Sequence, residues 1–190
     1  MQSIINLSLI KDSSEKKKLT FLIVLASRMF NSYFHFFKLT NFGNPNTLEL
    51  IKEQAIRYLL FDEYNEDLLQ DLKIELDNIA PNSEKFESIE SNYALTCCCI
   101  YYDILEFILN KDTERAIISG SELSENMVYV FIEDLLYNKN EIVSDEAVTT
   151  HELMQIEISF QNEIINKIIS TKNEELSSLL KIKYNDCIIL

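Results

Sequence analysis

Only two glycines, Gly43 and Gly120, and two prolines, Pro45 and Pro81, occur in 190 residues, with two histidines and no tryptophan. So little glycine excludes the P-loop and the dinucleotide fingerprint, which need several glycines at fixed offsets to bring backbone N–H groups to a phosphate. It also excludes the glycine-flanked elbow that presents a nucleophilic serine. The histidines write no metal motif. His151-Glu152 opens like a zinc-protease helix, but Gln155 stands where the second ligand belongs. Ser32 and Val148, not glutamates, lie three residues before His35 and His151, so a helical di-iron site is missing too. No metal, no cofactor and no catalytic residue are expected.

Positive charge is also scarce. Seventeen Lys and Arg face 31 Asp and Glu, for a formal charge of −14 and a pI near 4.5. That field repels nucleic acid and anionic lipid, so neither nucleic acid nor membrane is an expected partner, and a basic protein is. Lys16-Lys17-Lys18 followed by Leu19–Ala26 imitates a signal peptide, but Arg28 breaks the run and no small-x-small cleavage site follows. No apolar stretch is read as reaching the roughly 20 residues of a membrane span. The expected address is cytoplasmic. Cys97, Cys98 and Cys99 point about 100° apart on a helix and cannot converge on one metal. Together with Cys187 they are read as small apolar core residues in a reducing compartment.

What is abundant is apolar residue at helical spacing, 47% of the chain. At this length folding hides roughly 70% of the unfolded surface, enough for one core without staples. The chain therefore reads as a single all-α domain over 1–190. It is expected to be a bundle of about six or seven helices, mostly antiparallel neighbours, with residues 1–12 as a short helix or an N-terminal strap. Leu19, Leu22, Ile23, Ala26, Phe30, Tyr33, Phe34 and Phe37 form one stripe, ended near Gly43; Asn44-Pro45 starts the next helix. Leu68, Leu69, Leu72, Leu76 and Ile79 form another, ended by Pro81. Further stripes run from Ala94 to Ile108 and from Ala116 to Leu135. Gly120 lies inside the latter, where close approach of a second helix would offset its cost of about 1 kcal/mol. The last long helix starts near Ser144 and carries two stripes, Leu153-Ile156-Phe160-Ile164-Ile168 and Ile158-Ile165-Ile169, so it is placed near the centre. The tail Cys187–Leu190 is expected to pack down.

Three features go beyond a core. Asp62-Glu63-Tyr64-Asn65-Glu66-Asp67 concentrates charge around one tyrosine, and Asp62, Glu63, Tyr64, Glu66 and Asp67 are the expected contact residues for a basic partner; a solvated loop leading into a helix N-terminus is the bland alternative. Among the aromatics of 30–37, His35 and Phe36 are read as candidates for an exposed patch, which leaves a homodimer open. Arg28 interrupts an apolar stretch and calls for a buried carboxylate or carbonyl partner, or binds an anion.

Phe21, Arg28-Met29-Phe30, Tyr33, Phe36 and Phe42-Gly43, then Pro81 with Phe86 five residues on, resemble the signature of the YjaG-like family of bacterial proteins (domain of unknown function 416). The similarity extends over roughly 15–135, through the helix that carries Cys98. Asn31-Ser32 stand where that signature has Pro-Asn. The resemblance implies a compact all-α protein and gives Arg28, Tyr33, Phe42, Gly43, Pro81, Phe86 and, by its spacing, Gly120 structural rather than catalytic parts. It implies no activity. Charge, size and the missing reactive centre suggest a non-enzymatic acidic binding protein. Its most concrete form is an immunity protein that occludes the basic cleft of a nuclease-like toxin; a small-ligand binder or enzyme and a self-associating structural protein are the alternatives.

Overall fold

Asparagines, serines and a proline mark the helix ends in the computed structural model, which describes residues 4–82 and 84–181. A short α1 (Ser8–Lys11) precedes α2 (Glu15–Thr40). Asn41, left-handed at φ 53°, closes α2. Asn44 then caps α3 (Pro45–Phe61), its side chain accepting from the Asn46 N–H with Pro45 in the first turn. Asn65 caps α4 (Glu66–Ile79), which stops ahead of Ala80-Pro81 because the residue before a proline avoids helical geometry. Ser88 caps α5 (Ile89–Asn110), and α6 (Thr113–Asn138) runs through Gly120 without a break. Ser144 caps α7 (Asp145–Thr150); α8 (Glu152–Ser170), a 3-10 turn and α9 (Leu176–Leu179) follow.

The described residues thus hold nine α-helices, not six or seven. Two of the extra ones, α1 and α9, are single turns of four residues, too short to write a periodic stripe. The third comes from a break at His151, whose extended backbone separates α7 from α8 while its ring nitrogen accepts from the Leu153 N–H (3.2 Å). The N-terminal strap is pinned on α8: Asn6 N–H donates to Asn162 Oδ1 (2.9 Å), and the Asn162 amide donates to the Ile4 carbonyl (3.1 Å). Ser83 and the tail with Cys187 lie outside the described residues.

The central helix is α2, not the last long one. All eight residues from Leu19 to Ala26 are buried, the mark of a helix enclosed on every side. It packs on α5, α6, α3 and α8. In α8 the supposed stripe residue Ile156 is exposed, while Glu157 and Gln161 take inward positions beside Ile158, Ile164, Ile165 and Ile168. Phe36 is fully buried, so it belongs to no exposed patch. Cys97 and Cys98 are buried but Cys99 is exposed.

Gly120 is where α2 and α6 meet: an added Cβ would come within 2.6 Å of Leu22 Cδ2. By length and composition α5 is apolar enough to cross a membrane, which the sequence scan did not anticipate. Most of it is buried against protein, on α2, α3, α4 and α6, which accounts for its apolar character. A second, smaller apolar cluster (Val128, Ile132, Leu136, Val148, Met154 and Ile158) joins the end of α6 to α7 and the start of α8.

Candidate functional site

Arg28 leaves the apolar run of α2 toward α6 and α8, and its Nη1 donates to Glu157 Oε2 at 2.7 Å. The other carboxylate oxygen accepts from Ser124 Oγ (2.7 Å) and Gln161 Nε2 (2.8 Å). Gln161 is held in turn by Ser121 Oγ, which donates to its Oε1 at 2.7 Å. The Phe160 ring lies 3.7 Å from the guanidinium carbon. All five polar side chains are buried. Both oxygens of the carboxylate are thus occupied by protein, so this cluster fastens three helices and offers little to a substrate. The sequence pointed to Arg28 but not to its partner. The missed signal is that Met154, Glu157, Gln161, Ile164 and Ile168 share one helical face, so two polar residues stand in core positions.

The Asp62–Asp67 corner is exposed throughout, which a contact surface and a solvated loop share, and cations crowd it. Lys16 pairs with Asp62 (3.1 Å) and Arg57 with Glu63 (3.5 Å). Tyr64 meets Tyr58 edge to face at 5.8 Å, with the Lys111 ammonium above both rings. Glu66 and Asp67 occupy the first turn of α4, where the helix dipole favours carboxylates. Much of this charge is spent inside the molecule.

Carboxylates with few cations among them gather farther along the chain, Glu157 being answered by Arg28. From Ala116 to Asn166 there are ten carboxylates and one lysine, Lys139. Between α6, α7 and α8 opens a cavity of about 440 Å³. Met154 and Ile158 of the second apolar cluster line it together with Ile4, and Glu122, Glu125 and Tyr129 of α6 border it. Burial, then the nearby Glu157 and Glu122, raises the Glu125 carboxyl above its ordinary range. Tyr129 donates to Asp145 Oδ1 at 2.6 Å, joining α6 to α7.

A second cavity, also about 440 Å³, touches Cys99, Tyr102, Asp103 and Arg115. Although Cys99 reaches solvent, partial desolvation at the cavity wall and then the Asp103 charge raise its thiol, which disfavours the nucleophilic thiolate. Asp103 itself is raised, chiefly by burial and against its bond from Ser119 Oγ (2.5 Å). A folded-state pKa above the unfolded value costs stability as pH rises through it. Asp103→Asn is therefore expected to raise the melting temperature at pH 7, with the gain fading below the usual carboxylate value of 3.8. Melts at the two pH values check this. Among the described residues no three His, Cys, Asp or Glu side chains are grouped to hold a metal.

Of the residues behind the family resemblance, Tyr33, Phe36, Phe42, Gly43, Pro81 and Phe86 converge on one joint. The Tyr33 hydroxyl accepts from the Asn44 N–H (3.1 Å) and donates to the Ile79 carbonyl (3.2 Å). Gly43, at φ +94°, passes directly over it. Phe36, Phe42 and Phe86 form a ring cluster with centroids 4.9–6.3 Å apart, and Pro81 is buried. The joint ties α2 to the α2–α3 turn and the α4–α5 connection. The sequence model of the family described as "Protein of unknown function (DUF416)" matches residues 7–187. The chain belongs to this family. Among solved structures it is similar to a DUF416 family protein from Shewanella baltica OS155, with a TM-score of 0.80 over 93% of this chain and 91% of that one. At 24% identity, that likeness concerns the fold. No curated protein matches the sequence.

Proposed function

We propose that this DUF416 protein is a non-enzymatic binding protein whose acidic α6–α8 end docks a basic protein. The supporting observation is charge asymmetry: besides the buried, Arg28-paired Glu157, nine carboxylates stand against Lys139 in one continuous segment. Exposed apolar side chains stand among them, Tyr137 at 75% and Ile142 at 84%. Carboxylates attract a basic partner over roughly 10 Å at ordinary ionic strength, and the apolar groups supply area to desolvate on contact. The most concrete partner is a nuclease-like toxin, neutralised in the cytoplasm by occlusion of its positive cleft. Asp62–Asp67 is the lesser surface in this reading, because Lys16, Arg57 and Lys111 already answer its charge.

Affinity capture with the intact chain tests the proposal. A defined basic protein should be retained at low salt and released near 1 M, where the Debye length has shrunk to about 3 Å. Retention should be lost in Glu133→Gln/Asp134→Asn/Glu141→Gln and kept in Asp62→Asn/Glu66→Gln/Asp67→Asn. Capture of no basic protein, or retention that ignores salt and both variants, would overturn it. Self-association through the aromatic helix has less support. Phe36 is buried, and Lys38 and Lys52 lie over the rings of Phe34 and Phe30.

A further inference from the structure

The cavity between α6, α7 and α8 has a chemistry of its own. Its volume of about 440 Å³ suits a small organic molecule, within the roughly 300–1,000 Å³ usual for ligand sites. Met154 and Ile158 are buried members of the second apolar cluster, so one side of the cavity is greasy. Glu122 and Glu125, one helical turn apart on α6, place two carboxylates at the other side. Among the described residues no lysine or arginine lines the space. Glu157 lies behind Glu125, but Arg28 balances its charge, so the net negative charge at the cavity is that of Glu122 and Glu125.

An anion is repelled by such a lining. A divalent metal wants about six or more oxygen ligands converging at one point, and no such grouping is found among the described residues. A neutral apolar molecule would leave the carboxylates facing it unanswered. What satisfies both sides is a cationic head on a hydrocarbon body. We propose that the cavity binds an alkylammonium ion, its charged head between Glu122 and Glu125 and its chain against Met154 and Ile158. The Tyr129 ring, on the same border, offers the cation an aromatic face. The inference rests on the acidity that also motivates the partner proposal, but it requires no protein partner. The same head group occurs in a free amine and in a partner's lysine side chain.

The test is an amide chemical-shift titration of the full chain at fixed ionic strength with hexylammonium, hexanol and hexanoate. Hexylammonium alone should give saturable shifts at Glu122, Glu125, Met154 and Ile158. Glu122→Gln/Glu125→Gln should weaken that binding about tenfold. Both positions are at least partly exposed and face the solvent-open cavity, and an unchanged melting temperature confirms that the double variant folds. An equal response to hexanol, a response that never saturates, or one unaffected by the double variant would overturn the proposal. Nα-acetyl-lysine methylamide separates the sources: binding as tight as hexylammonium supports a partner's lysine, and much weaker binding supports a free amine. If wild type ignores the amines yet still captures a basic protein, this inference falls and the docking proposal stands.

Discussion

Replacing Arg28 by alanine is expected to lower the unfolding free energy by about 3–5 kcal/mol, since it strands the Glu157 carboxylate in the interior without its cation. For a chain of this size that corresponds to a fall in melting temperature of roughly 6–20 °C. The cost belongs to the broken pair, not to the loss of a favourable bond. Two ions withdrawn from water recover little more than their own desolvation, so an apolar pair of similar volume can serve as well. Arg28→Met combined with Glu157→Leu is therefore expected to melt well above the sum of the two single losses. Urea or thermal melts of the four proteins form the cycle. An unchanged melting temperature for Arg28→Ala, or strictly additive losses, would contradict the network drawn above.

Gly43→Ala is expected to be comparably costly, about 2–6 kcal/mol, by two separate routes. Its φ of +94° is one that residues with a Cβ rarely adopt, a strain of about 1–3 kcal/mol. The new methyl would also sit 2.1 Å from the Tyr33 hydroxyl and 3.3 Å from the Ile79 carbonyl. Displacing that hydroxyl unpairs the Asn44 N–H and the Ile79 carbonyl, at about 1–3 kcal/mol. Tyr33→Phe isolates the second route. If Gly43→Ala melts no lower than Tyr33→Phe, backbone strain contributes nothing and the argument from φ fails.

These two substitutions mark how far the sequence could be read. Gly43 and Arg28 were both visible, the one as a helix stop and the other as a charge in an apolar run. Their partners were not. Glu157 lies 129 residues from Arg28, and in so acidic a chain one more glutamate carries no signal unless its helical face is known. The stripe reading of α8 chose Ile156 over Glu157 because isoleucine scores as core, whereas burial here is settled by the cation waiting on α2. A similar error placed Phe36 outside. On α2, packed on several sides, hydrophobicity alone cannot tell the enclosed ring from the half-covered Phe30, Phe34 and Phe37.

The acidic loop shows the same limit in charge. Asp62–Asp67 is the densest acidic run, but density along the chain is not field at the surface. Lys16, Arg57 and Lys111 reach it from α2, α3 and the end of α5. The sparser carboxylates of α6–α8 meet far fewer cations, and the cavity lies beside the place where α7 breaks from α8 at His151.

Helical class, helix caps, the exclusion of phosphate-binding loops and the acidic balance follow from local spacing and composition, because hydrogen bonding within a helix and its capping involve residues a few positions apart. Which helix is central, which carboxylate is buried and which surface keeps its charge depend on groups on other helices, 129 residues distant in the case of Arg28 and Glu157. Those outcomes are set by packing and Coulomb energies that exist only after the helices have met.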